Sequence, residues 1–346
     1  MSLLSRFSLL SAPVLQRLIG PGTAEVEVLQ PAETVAVRPP AYLPDMLDRV
    51  TGTDEHSTIA YHIQVAQEVT VTHVPVLRKL WRNALVRRRG FATLRRHERY
   101  GQGFGLADVA ATMRQEAILR YCHSGVSWRY FGHWLTDSIP TALIEPETGA
   151  LWMPHDPSWS HAPGYLDALS LPALPDHPVL AKELVTYQDF GQGSHKVARY
   201  NRIRDQLQAR FGSPGETAVY LRRGRTGAPR CIANEDALVE ALLARNWQVI
   251  DIAGTSVETL QRALCPARIV VSIDGSHLDH AHLSLRPKSR MVVLVPQDRF
   301  TLRQVGLSRA HEVAPGFVVL RGSVEAGYHA ELDEILRTLD FADSGA

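Results

Sequence analysis

The feature that most limits how this chain can fold is a recurrence in its carboxy-terminal half. Short apolar runs at residues 218–221 (AVYL), 247–252, 269–273 and 291–295 return at intervals of roughly twenty to thirty residues. Each is the length of a buried strand. Between them the apolar positions change to helical spacing. Asn234, followed by Glu235 and Asp236, reads as a helix start, because a capping side chain accepts an orphan backbone N–H and carboxylates suit the positive end of the helix dipole. Leu238, Ala241 and Leu242 then recur three and four residues apart. Thr255, with Glu258 three residues on, predicts a second start with a capping box ahead of Leu260, Ala263 and Leu264. Strands alternating with helices predict parallel βαβ units in one sheet.

Residues 45–185 are less regular. Strands are expected over 117–121 and 151–153, with a helix over 131–144 that contains Pro140, and these make a second α/β unit. A basic helix over 196–210, set among Gly191, Gly193, Gly212 and Gly215, joins the halves, and a helix over 331–339 closes the chain. A Pro-rich stretch over 31–44 separates an amino-terminal arm from the first domain. A chain of 346 residues suits two domains. The expected division is an arm (1–40), an α/β domain (41–190), a linker (191–214), a Rossmann-like domain (215–327) and a closing helix with tail (328–346). Two α/β halves would face each other across a cleft, since ligands bind outside the carboxyl ends of parallel strands.

Composition excludes some functions. The 37 Lys and Arg residues nearly balance the 36 Asp and Glu residues, so no basic excess points to nucleic acid. The three cysteines, Cys122, Cys231 and Cys265, are far apart and form neither a zinc knuckle nor a disulfide framework. No run approaches the ~18 to 20 apolar residues that cross a bilayer. The first twenty residues look like a weak signal peptide, but Arg6 and Pro13 interrupt the apolar stretch and no small-residue cleavage site follows. An amphipathic or disordered arm and a cytoplasmic protein are expected. The basic run Arg78, Lys79, Arg82, Arg87, Arg88, Arg89, Arg95, Arg96 and Arg99 is either a solvated face or a contact for an acidic glycan or the inner face of the membrane.

Three constellations can carry chemistry. In the first, a strand delivers Arg222 and Arg223, a Gly/Pro loop brings Arg225 and Arg230, and a helix begins at Asn234. Guanidinium groups gathered where a strand ends suit a diphosphate. The plainer reading is a solvated basic loop. In the second, the strand ending in Asp274-Gly275-Ser276-His277 leads into a helix that Ser276 would cap, and exposed N–H groups there would favour an anion. Asp274, His277, Asp279, His280 and His282 also invite a metal. His277 and His280 can share a face, yet spacing fixes no third ligand. In the third, His133 and Asp137 lie four apart on one helix face. A carboxylate beside an imidazole holds its tautomer and raises its basicity, although such a pair also serves to satisfy a core.

Together, and in this order, the motifs resemble glycosyltransferase family 61, including its bacterial capsular-polysaccharide members. Gly132-His133-Trp134-Leu135-Thr136-Asp137-Ser138-Ile139-Pro140 is similar to the family's His-Trp segment. Arg222-Arg223, Arg230-Cys231-Ile232-Ala233-Asn234-Glu235 and Asp274-Gly275-Ser276-His277-Leu278 are similar to the motifs that follow. Asp274 stands where the family usually has His, and His280 where it usually has Asn.

The resemblance implies a GT-B fold of two Rossmann-like domains and an inverting hexosyl or pentosyl transfer. It implies no bound cofactor or metal: a nucleotide-diphosphate sugar is the substrate, and a glycan hydroxyl is the acceptor. It assigns the donor to Arg222, Arg223, Arg230, Asn234, Glu235, Asp274, Gly275, Ser276 and His277, and the base to His133 or Asp137. The rival readings are a metal-dependent hydrolase centred on Asp274, His277 and His280, and an inactive relative that binds nucleotide or glycan.

Overall fold

A computed structural model describes residues 24–87, 90–93, 97–99, 114–172, 178–224 and 230–344. The expected amino-terminal arm over 1–20 lies outside them, as do Arg88, Arg89, Arg95, Arg96 and Arg225. Among the described residues no helix is long and apolar enough to cross a membrane. In chain order the first strands are β1 (Glu25–Gln30), β2 (Glu33–Ala36), β3 (Thr70–His73), β4 (Val76–Arg87), β5 (Gly90–Ala92), β6 (His97–Arg99), β7 (Arg114–Tyr121), β8 (Ala150–Trp152) and β9 (Val179–Gln188). They are followed by β10 (Thr217–Arg222), β11 (Gln248–Asp251), β12 (Ala267–Ile273), β13 (Arg290–Pro296), β14 (Ala314–Ser323) and β15 (Gly327–His329).

The chain divides into two compact units. One takes the described parts of 1–32, 74–166 and 171–191, and the other those of 33–73, 167–170 and 192–346. This departs from the sequential division expected above. Residues 33–73 belong with the carboxy-terminal half because long-range contacts hold them there. Leu43, Met46, Val65 and Ala66 enter its core, Ala41 bridges to Gly316, and Arg49 and Arg309 pair with Glu334 and Glu68 at 2.6 and 2.7 Å.

In the second unit the sheet order is β11-β10-β12-β13-β14-β15. The first five strands are mutually parallel and β15 is antiparallel. Strands buried on both faces need continuous apolar runs, and Met291 to Val295 are all buried. Helices Glu235–Leu243 and Val257–Leu264 connect the strands as the spacing predicts. Their starts differ in detail. The second is capped by Ser256, whose side chain accepts from Thr259 N, while Thr255 Oγ1 donates to the carbonyl of Asp251. Asn234 occupies the cap of the first without a capping bond. Its amide instead clasps Ala330, donating to the carbonyl at 2.8 Å and accepting from N–H at 3.0 Å. The joining helix, Ser194–Phe211, buries Tyr200, Ile203, Leu207 and Phe211 at helical spacing, and the closing helix is Leu332–Ser344.

The other unit has a sheet of order β6-β5-β4-β9-β7-β8, with β1 also on β4. Only β9, β7 and β8 are parallel; β4 runs antiparallel to β1, β5 and β9. It is therefore a mixed α/β sheet and not the second Rossmann-like domain expected. The basic run concealed the reason. On β4, Leu80, Ala84 and Val86 are buried, while the charges between them find carboxylates. Arg78 pairs with Glu145 at 3.2 Å and Glu27 at 3.7 Å, and Arg82 with Glu183 and Glu25. Arg78 and Arg82 thus lie on a strand with their charges matched, and Lys79 on the same strand donates to Gln188 at 3.0 Å.

Candidate functional site

The order of the parallel sheet reverses between β10 and β12, the first and third strands of its run. Ligands of such sheets bind at that switch point, outside the carboxyl ends of the strands. Arg222 and Arg223 emerge there from β10, and Asp274 and Gly275 from β12. Neighbours on a strand face opposite ways, and these two arginines are treated differently. Arg222 is held by Glu235 at 3.2 Å and by Asp236, and Glu235 also accepts from the Tyr220 hydroxyl at 2.8 Å. Arg223 is buried and makes no hydrogen bond among the described residues.

Arg230 lies alongside. Its Nη1 donates to the Asp274 carbonyl at 2.6 Å and to the Asp274 carboxylate, and both side chains are 8% exposed. Among the described residues its Nε is buried without a partner, as is Nε of Arg299. Arg299 follows β13, in a loop where Asp298 accepts from the hydroxyl of buried Tyr328 at 2.8 Å. Burial, with repulsion from Arg230 and Arg299, brings the Arg223 guanidinium down to about 10 against the pull of Asp274. Arg230 thus grips Asp274, Arg223 and Arg299 lie close enough to repel it and each other, and among the described residues two buried N–H donors have no partner. Such a cluster is suited to an anion with several oxygens.

Gly275 permits the close approach. A Cβ there would lie 2.8 Å from His277 Nδ1 and 3.3 Å from Arg223 Nε. Ser272 Oγ donates to the Leu221 carbonyl at 2.5 Å and lies 2.7 Å from His277 Nε2. One hydroxyl proton cannot serve both bonds, so Nε2 carries the imidazole proton and Nδ1 keeps its lone pair. Burial, reinforced by Arg223, holds this imidazole neutral, at about 3. The expected cap at Ser276 is not formed: Gly275 takes the cap position of a short 3₁₀ turn, and Ser276 is exposed.

Asp274, His277 and His280 do not form a ligand set, and among the described residues no three His, Cys, Asp or Glu side chains gather as one. Asp279 is fully buried under Arg303, which donates to its two oxygens at 2.9 and 3.0 Å. Burial alone would raise this carboxyl, but Arg303 and His282 hold it well below the usual range.

In the other unit, the expected helix over 131–144 runs as Phe131–His133, a wide π turn Trp134–Ser138 and Ile139–Ala142. Pro140 lacks the N–H that would close an α turn onto Thr136, and the wide turn comes just before it. Such turns recur at functional sites. His133 Nδ1 lies 2.8 Å from Asp137 Oδ2, and Ser124 Oγ donates to the same oxygen at 3.4 Å. Both members of the pair are partly exposed. With the carboxylate ionised, Nδ1 is the donor and Nε2 carries the free lone pair.

Residues 131–292 match a family model described as Glycosyltransferase 61. This stretch is a glycosyltransferase 61 region. It holds the His133–Asp137 pair and the Arg223, Arg230 and Asp274 cluster, and Arg299 lies beyond its limit. No curated protein matches the chain. Among solved structures it is similar to the flavodiiron protein from Giardia intestinalis at 11% identity, over 49% of this chain and 46% of that one, with a TM-score of 0.25. The chain thus spans under half of that structure's length.

Within the glycosyltransferase 61 region, the structure brings together Arg223, Arg230, Asp274, Gly275 and His277. It engages Arg222, Asn234 and Glu235 in bonds of their own. Sequence reasoning missed Ser272, which fixes the His277 tautomer, and Arg299. Arg299 sits in no motif, and only the strand order of the sheet points to its loop.

Proposed function

We propose that the protein transfers a hexosyl or pentosyl group from a nucleotide-diphosphate sugar to a glycan hydroxyl, with inversion and without a bound metal, in polysaccharide synthesis of the bacterial capsular kind. The observation that carries this reading is the excess of guanidinium groups at the switch point, of which Arg223 and Arg230 fall inside the glycosyltransferase 61 match. Arg223, Arg230 and Arg299 bind the donor's diphosphate and neutralise it as it leaves, the work a metal does elsewhere. His133 Nε2 accepts the acceptor's proton while Asp137 holds the ring. The acceptor oxygen bonds to the anomeric carbon, the bond from that carbon to the diphosphate breaks, and its electron pair leaves with the phosphate.

The test uses Cys231, which adjoins Arg230 and is exposed while Cys122 and Cys265 are buried. Iodoacetamide labelling in EDTA, read by mass spectrometry, is run against a panel of nucleoside diphosphates and their sugar esters. At least one base should slow labelling of Cys231 and raise the melting temperature, and Arg230→Ala should abolish both effects. No protection by any of them, together with an unaltered Arg230→Ala variant, would remove the donor reading.

A further inference from the structure

We propose that Asp274 sets the charge of the anion site so that it prefers a diphosphate esterified at both ends to one with a free terminal phosphate. In the transferase reading, on which this rests, the site then holds the intact donor and releases the spent nucleoside diphosphate. At the switch point the Asp274 carboxylate offsets part of the positive charge of Arg223, Arg230 and Arg299. A diphosphate diester carries two negative charges. Breaking the glycosyl bond leaves a terminal phosphate whose further oxygen ionises with a pKa of about 6, so the product gains negative charge at neutral pH.

That added charge must sit near the Asp274 carboxylate, which Arg230 grips both at its side chain and at its backbone carbonyl. With both side chains 8% exposed, water screens the repulsion poorly. Asp274 also occupies a guanidinium edge that a third phosphate charge would otherwise use. The same repulsion acts on charge developing during transfer, so Asp274 gives up some stabilisation of the leaving group in favour of release.

The probes are inorganic pyrophosphate and its P1,P2-dimethyl ester, which differ in charge and carry no base or sugar. Calorimetric titration at pH 7.5 in EDTA compares the native protein with Asp274→Asn, which keeps the shape and removes the charge. In the native protein the diester should bind at least about threefold tighter than pyrophosphate, and in Asp274→Asn the order should reverse, with pyrophosphate at least about threefold tighter than the diester. If Asp274 only holds Arg230 in place, the variant weakens both probes equally, and that result overturns the proposal. Should the variant not fold, the native protein decides alone, since native binding of pyrophosphate as tight as the diester or tighter also overturns it. If neither probe binds the native protein and Arg230→Ala behaves identically, the diphosphate reading fails and takes the proposal with it. Binding of both probes with no change of preference in Asp274→Asn sinks the proposal and leaves the reading standing.

Discussion

Arg222 and Arg223 are adjacent in the chain and opposite in circumstance. Arg222 spends its charge on Glu235 and Asp236, whereas Arg223 is buried beside Arg230 and Arg299. Arg222→Ala should therefore leave pyrophosphate affinity within about twofold and lower stability by about 1 kcal/mol or less, as a partly exposed pair warrants. Arg299→Ala should weaken pyrophosphate by about tenfold or more, the worth of a charged hydrogen bond. One series of calorimetric titrations checks both, and equal losses in the two variants would mean that the cluster is drawn wrongly. The arginines of the motif were legible because they stand together where a strand ends. Which of them faces the site was not, since the two faces of a strand differ by one residue and Glu235 reads as a helix-capping carboxylate. Arg299 has no local signature at all.

The elements follow the same rule, in that local signals were readable and long-range pairings were not. The parallel strands of the second unit appear as apolar runs because burial on both faces demands it. β4 and β9 escaped notice because their polar positions carry charge and their partners lie far off in sequence, as Arg82 and Glu183 do. The starts of the two connecting helices, at Asn234 and Thr255, were read to within a residue. Ser256→Ala should cost about 1 kcal/mol, the usual value of a cap, and Thr255→Ala less, as urea unfolding of the two variants would show. The π turn leads to a kinetic prediction. It places His133 and Asp137 2.8 Å apart on partly exposed side chains. Removing a general base lowers rates by about 10²- to 10⁴-fold. His133→Gln and Asp137→Asn should each lose transfer on that scale while pyrophosphate affinity stays unchanged. A loss of affinity in either variant would argue for a structural role.

For the whole molecule, acid stability depends on histidines. Burial lowers His123 and His277 to about 3 and depresses His282 and His311, against an ordinary value of 6.5. A base whose folded value is depressed contributes its full stability above the unfolded value and loses it as pH falls toward the folded one. His123 and His277 can each remove up to about 2 kcal/mol by pH 5, and His282 and His311 act in the same direction. Asp279 is also depressed from 3.8 and stays charged until lower pH, so the decline should begin near 6.5 and precede the carboxylates. Urea unfolding at pH 7.5, 6 and 5 measures it, and a flat profile would contradict these burials. The interleaving of the two units has a consequence of another kind, during synthesis. Residues 33–73 leave the ribosome long before residues 290–340, against which Leu43, Met46, Val65 and Ala66 pack. At about 5–20 residues per second the delay is about 10 to 50 s. Throughout it those side chains wait without their partners, while a chaperone can hold them and a premature stop would leave them uncovered.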